Sequence, residues 1–155
     1  MILPQDIMDK LAELIKTQFP DEPVYAKRIP DDFERPSTYI ELVSSKGNFG
    51  FGPSAVEIMP VIKVTIFSKV DDYRHSDPRE LHDRLMTIIG VLIPGYIKVG
   101  ARAPKIQDVT FEVGLDYAVL TTAWRYALDR SEFIRKEQVP PAEHLNLTLN
   151  YNDRR

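Results

Sequence analysis

Apolar residues near the start of the chain recur at helical spacing. Over residues 4–18, Ile7, Met8, Leu11, Leu14 and Ile15 fall at i, i+1, i+4, i+7 and i+8, which puts them in one stripe of a helix. Pro4 suits the first turn, Asp6 and Lys10 stand four apart on the other side, and Pro20 and Pro23 end the pattern. The period then shortens to two. "PVYAKRIP" (23–30) reads as a short first strand, and "DDFERP" (31–36) as an acid- and proline-rich turn. "STYIELVSS" (37–45) reads as a β-branched and aromatic strand. In "AVEIMPVIKVTIFSKV" (55–70), Val56 and Ile58, then Ile62, Val64 and Ile66, alternate with other residues. Pro60 has no amide to give a ladder, so it predicts an edge position or a bulge. Residues 37–45 and 55–70 therefore pair as a long hairpin with 46–54 as its tip.

The helical period returns in "SDPRELHDRLMTIIGVLIPG" (76–95). Asp77 is placed to cap, Pro78 to open and Glu80 to close a capping-box-like start, and Pro94-Gly95 stops the helix. Leu81, Leu85, Ile88, Ile89 and Leu92 form its inward face. Arg79–Asp83 and Glu80–Arg84 are expected as i,i+4 pairs on its wet side. Three more strands are expected at 96–100, 105–113 and 116–128, the last two pairing through Gly114. Trp124, in the last of them, reads as a core residue. The order α-β-β-β-α-β-β-β predicts an α+β fold, a mainly antiparallel sheet with two amphipathic helices packed on it.

From Asp129 the character changes. After the Pro140-Pro141 break, Leu145, Leu147, Leu149 and Tyr151 alternate with polar residues, which is strand periodicity beyond a linker. The organisation expected is one domain over 1–128 and a C-terminal extension over 129–155. The strand of that extension either returns to its own sheet or adds to a neighbouring subunit through those four residues.

The hairpin tip, "SSKGNFGFGPS" (44–54), sets Phe49 and Phe51 among three glycines. Its glycines are spaced G-x-x-G-x-G and precede a strand, so no helix N-terminus cradles a phosphate there. Lys46 beside the two aromatics has the flavour of a single-strand binder, but one lysine is not a basic groove. Two readings remain for Phe49 and Phe51. Either they fold back on the hairpin, or Lys46, Asn48, Phe49 and Phe51 form a protein-contact finger.

Composition narrows the chemistry. The 155 residues suit one domain, and a formal net charge of -3 gives no long-range attraction to nucleic acid or an anionic membrane. With no cysteine, disulfides, thiolate metal sites and thiol catalysis are excluded. The start of the chain lacks a basic region followed by a long apolar run, and no run approaches the ~20 apolar residues of a membrane helix, so a soluble protein made in the cytoplasm is expected. His75, His82 and His144 are too scattered for a recognisable metal motif, and no serine sits in a nucleophile elbow. The densest ionisable stretch, "KVDDYRHSD" (69–77), with Asp71, Asp72, Arg74 and His75, is the one place to look for an enzyme. Its plainer reading is a polar strand-to-helix connection.

A short strand with a tyrosine, then a Phe-x-Arg-Pro turn (Phe33, Arg35, Pro36), then an aromatic-apolar strand, resembles the start of tail terminator proteins of tailed phages and phage-like particles. The flanking elements continue the likeness: the N-terminal amphipathic helix, a long strand ending "VTIFSK", the helix "DPRELHDRLMTIIGVL" and the closing strand "DYAVLTTAWRYAL", over roughly residues 4–128. The resemblance implies a structural virion protein at the head-proximal end of the tail. Such proteins form a hexameric ring that caps the last tube ring, stops tube growth and meets the head-tail connector or neck, and in contractile particles the sheath. It implies no catalysis and no cofactor. The rival readings are another neck or head-completion ring protein, a small enzyme built around residues 71–77, and an oligomerising adaptor unrelated to phage.

Overall fold

The computed structural model describes residues 1–133. Leu145, Leu147, Leu149 and Tyr151 lie outside the described residues. Helix α1 (Pro4–Gln18) leads into the two-residue strand β1 (Val24–Tyr25), followed by β2 (Ser37–Asn48) and β3 (Ala55–Phe67). Helix α2 (Pro78–Leu92) then precedes β4 (Lys105–Val113) and β5 (Tyr117–Asp129). The five strands make one sheet in the order β1-β2-β3-β5-β4, antiparallel throughout except for β1 against β2. This is the α+β arrangement expected, with one strand fewer. Residues 96–100 form only the isolated bridges Tyr96–Lys105 and Val99–Arg102, because the segment turns back on itself: the Val99 and Arg102 backbones bond to each other.

The period of two has one consequence for the whole molecule. Ile40, Ile62, Val64, Ile66, Ala118, Leu120, Thr122 and Trp124 point to one face and are buried there. Ile7, Met8, Leu11 and Ile15 of α1, and Leu81, Leu85, Ile88 and Leu92 of α2, cover that face. Each fully buried aliphatic side chain contributes roughly 1.5–3 kcal/mol. Trp124 is fully buried and donates its indole N–H to Thr122 Oγ1 (2.7 Å), whose own hydroxyl donates to the Ile62 carbonyl (3.0 Å). The other face is a weave of short and charged side chains, with ion pairs Glu41–Lys63 and Glu57–Arg125 crossing between strands.

Pro60 lies in a central strand, so of the two options its presence predicts, the irregular ladder is the one used. The β3–β5 pairing is interrupted between Ile58 and Val61, and β2 carries an extra residue at Val43, opposite the same stretch.

Helix α2 begins as expected, with the Asp77 carboxylate accepting from the Arg79 amide (2.9 Å) and Pro78 in the first turn. The expected wet-side role of Arg84 is corrected. Arg84 is buried, bonds Glu22 with both terminal guanidinium nitrogens, and stacks on the Phe19 ring at 4.5 Å. The loop after α1 brings a carboxylate and an aromatic ring to that side of α2, and a fixed guanidinium fork satisfies both better than an exposed pair with Glu80 would.

Candidate assembly surface

Extending β2 to Asn48 makes the hairpin longer and its tip tighter than expected. Phe49–Phe51 forms a single 3₁₀ turn. Asn48 Oδ1 accepts from the Gly50 amide (3.1 Å), and its amide nitrogen reaches Glu57 (3.4 Å), which is itself held by Arg125 at 3.0 Å. From β5's end, Arg130 donates to the carbonyls of Phe49 (2.8 Å) and Gly52 (3.1 Å), and its amide bonds the Ser54 carbonyl (2.8 Å). Every fixed point is polar and lies at the base of the tip, so the tip is held as a projection of defined shape. Phe49 is 71% exposed and Phe51 47%. Neither ring is buried against the hairpin. The ring of Phe49 lies beside Gly47, where a methyl group in place of the glycine hydrogen would touch it at 3.4 Å. Phe51 lines a shallow groove of about 370 Å3 together with Glu57, Arg102, Lys105 and Arg125. The exposed Lys46 lies beside Met59 in the hairpin ladder.

At the opposite end of the sheet, the Phe-x-Arg-Pro turn is tied to the closing hairpin. The Arg35 guanidinium stands 5.2 Å from the Phe33 ring centre and 4.9 Å from that of Phe67, whose ring is 4.6 Å from Phe33. It also donates to the Asp116 carbonyl (2.9 Å) and faces the Asp116 carboxylate (3.6 Å). The motif joins the loop before β2, the end of β3 and the β4–β5 turn, a positioning job rather than a chemical one.

The stretch at 71–77 holds itself in a turn. Asp71 Oδ1 accepts from the Tyr73 (2.9 Å) and His75 (2.8 Å) amides, Arg74 occupies the left-handed region at φ 60°, and Asp77 caps α2. The Asp71 and Asp77 carboxylates are spent on backbone amides, and the adjoining groove is open to solvent. A groove of about 610 Å3 between α1 and the 98–102 turn mixes Asp6, Asp9 and Glu13 with Lys10, Lys98 and Arg102. Its Asp6 carboxylate already accepts from the Leu3 amide (2.7 Å). Among the described residues, no three His, Asp or Glu side chains gather to hold a metal, and no helix is long and apolar enough to cross a membrane.

What the surface does present is apolar side chains and strand edges that are unpaired among the described residues. β1 covers only Thr38 and Tyr39, leaving the rest of β2 as an edge with Leu42 and Val43 exposed. β4 is the other edge, and Phe111 on it is 51% exposed. Natural edges of this length are covered, charged or paired with something. The two are dissimilar and lie on opposite sides of the sheet.

A family whose description reads "Phage tail terminator protein" matches the chain over residues 6–129. The chain belongs to that family. Among curated proteins, none matches it. Membership makes it a structural protein of the bacteriophage tail, and therefore of the virion. The matched stretch of this terminator runs from α1 to the last residue of β5. It contains the aromatic tip, the Phe33–Arg35 cluster and both sheet edges. Sequence reasoning missed two features of the surface: Arg130, which braces the tip from a distant part of the chain, and the apolar flank of α2 formed by the exposed Met86 and Ile93 around the half-buried Ile89. The first carries no local signal. The second is visible as a second helical stripe beside the buried one.

Proposed function

We propose that this terminator acts as a homohexameric ring at the head-proximal end of the tail, capping the last ring of tail tube protein and joining it to the head-tail connector or neck protein. In a contractile particle the ring also meets the sheath. A closed ring needs a heterologous interface, one patch meeting a different patch on the next copy. The two dissimilar sheet edges support that geometry. The observation that carries the reading is the braced hairpin tip, because Phe49 and Phe51 stand out of the fold on a fixed support, as the anchors of a protein interface do. Lys46 and Asn48 flank them as the polar rim. No cofactor, membrane or sequence-specific nucleic-acid contact enters this function.

The test pairs the mass of the full chain by light scattering with electron microscopy of tail tubes polymerised in its presence. The expected result is tubes of limited length bearing a ring of six subunits at one end. The Phe49→Ala/Phe51→Ala double variant should still form rings and fail to cap tubes. Rings that bind a connector and ignore the tube would transfer the protein to another place in the neck.

A further inference from the structure

We propose that the segment 145–151 of one copy adds as a strand to the free edge of β4 in a neighbouring copy, beneath the exposed flank of α2. This inference rests on the ring reading in one respect, that it needs a second copy.

The receiving site is built by two elements. The Ile106 amide bonds the Gly95 carbonyl (2.8 Å) at one end of β4, and the Ser76 amide bonds the Leu115 carbonyl (3.0 Å) just beyond the other. Helix α2 connects those two ends, so it runs antiparallel alongside β4. Lys105 is bridged by Tyr96, whereas among the described residues no strand pairs with the outer edge from Gln107 to Val113. On the helix-covered side of that edge lie Val109, Phe111 and Val113, opposite the buried Thr122, Leu120 and Ala118. On the solvent side lie Asp108, Thr110 and Glu112.

The flank of α2 above this edge is apolar. At about 100° per residue, Met86, Ile89 and Ile93 fall on one flank of the buried face, about 180° around the helix from Arg84. Arg84 points to Phe19 and Glu22 on the α1 side. The stripe therefore faces away from α1, toward the β4 edge. Met86 is 55% exposed and Ile93 79%. A strand laid against Gln107–Val113 meets a roof of Met86, Ile89 and Ile93 and a wall of Phe111 on one side, and water on the other.

That site calls for a strand with one apolar and one polar face. The β2 edge of a second copy suits it poorly, because beyond the bulge its helix-side positions are Ser45 and Gly47. In "LNLTLNY" (145–151), Leu145, Leu147, Leu149 and Tyr151 alternate with Asn146, Thr148 and Asn150. Its length matches the unpaired stretch 107–113. The intervening residues 134–144 number enough to span up to about 36 Å. Chain leaving β5 emerges beside the start of β4, where Glu132 pairs with Arg102. A segment returning at once along its own β4 would run parallel to it, in a sheet that is otherwise antiparallel over all its long strands. Delivery to the next copy leaves the direction free and closes each subunit onto its neighbour, by strand addition.

The absence of cysteine makes the test clean. Thr110→Cys and Thr148→Cys, both on the polar side, are introduced together in the full chain. The assembled protein is treated with a thiol crosslinker about 8 Å long, which spans a direct or diagonal cross-strand pair. The expected result is a ladder of covalent multimers, reduced at least tenfold by Ile93→Asp or by Leu147→Asp in the same background. Ile93 is exposed, so Ile93→Asp should lower the thermal midpoint by no more than a few degrees, the effect of a carboxylate at the negative end of α2. A monomer-sized product with both thiols consumed would overturn the exchange between copies. Multimers by light scattering with both thiols free would overturn the docking and leave the ring reading standing. A monomer at every concentration, alone and on tubes, would overturn both.

Discussion

Arg84 and Glu22 form a two-pronged ion pair that fastens α2 to the loop after α1, with the Phe19 ring 4.5 Å beneath the guanidinium. Both side chains are largely out of water, at 9% and 18% exposed. Removing one partner leaves the other charge buried without compensation, which costs about 3–5 kcal/mol for buried pairs. Arg84→Ala should therefore lower stability by about 3 kcal/mol in urea unfolding followed by circular dichroism. Arg84→Lys should recover only part, because an ammonium supplies neither the fork nor the flat face that stacks on Phe19. An unchanged midpoint in Arg84→Ala would mean that the pair does not hold the two helices together.

This pair also marks where the sequence stops being legible. Helix α2 announces itself through its spacing, its Asp77 cap and Pro78, and all three belong to the same short stretch of chain. The partner of Arg84 is 62 positions away, and local spacing offered Glu80 instead. The same division runs through the candidate surface. Phe49 and Phe51 stand out as aromatics among glycines, but their brace from Arg130 crosses 81 and 78 positions and leaves no pattern. Residues 96–100 have strand composition, and backbone turns at Gly95 and Gly100, both at positive φ, fold them into bridges instead. The α+β class was readable because it follows from the periods of two and 3.6 alone.

Thr122 serves Trp124 and the Ile62 carbonyl at once, all within the core. Thr122→Val keeps the volume and leaves the indole N–H without an acceptor, a loss of roughly 1–3 kcal/mol. Trp124 is the single tryptophan, so its emission reports the site directly. Thermal unfolding monitored at that emission should show the variant melting several degrees earlier, with the folded spectrum still that of a buried indole. A red-shifted folded spectrum would instead indicate that water enters beside the ring.

Burial pushes the Tyr126 phenol up to about 12, and the nearby Asp6 carboxylate adds to the effect. Its hydroxyl donates to the Ile2 carbonyl at 3.2 Å. The fold therefore prefers the neutral phenol. Its contribution is fully present below pH 10, where the unfolded phenol titrates, and is lost as pH rises from 10 toward 12. At pH 8, Tyr126→Phe should be less stable than the natural chain by about 1 kcal/mol, the net worth of one such hydrogen bond. Above pH 10 the natural chain should lose stability faster than the variant, and the two curves should converge. Parallel curves from pH 8 to 12 would show that this phenol does not titrate against folding.

The Arg35 cluster gives a prediction that separates a structural motif from a contact site. Its guanidinium rests against the packed Phe33–Phe67 pair, 5.2 and 4.9 Å from the two ring centres, and bonds the Asp116 carbonyl, so these partners are all within the chain. Arg35→Ala removes a stacked cation worth roughly 1–2 kcal/mol and loosens the loop before β2. Hydrogen exchange should rise at the first residues of β2 and at the β4–β5 turn, while the tip at 49–51 stays as protected as before. If Arg35→Ala instead left exchange unchanged and abolished tube capping, this end of the sheet, and not the hairpin tip, would be the surface that meets a partner.

The opposite expectation holds at the tip itself. Phe49 and Phe51 bury little in the isolated chain, so Phe49→Ala and Phe51→Ala should each change folding stability by no more than about 0.5 kcal/mol. Arg130→Ala removes the two hydrogen bonds that fix the tip carbonyls without changing either ring. If the tip works as a preformed anchor, Arg130→Ala should weaken tube binding by slowing its formation or raising the ordering cost, although no contact residue has changed. Titrating labelled tubes with the two variants and the natural chain orders them: the double phenylalanine variant lowest, Arg130→Ala intermediate and the natural chain highest. Binding by Arg130→Ala equal to that of the natural chain would show that the brace is irrelevant and that the rings find their own position on the partner.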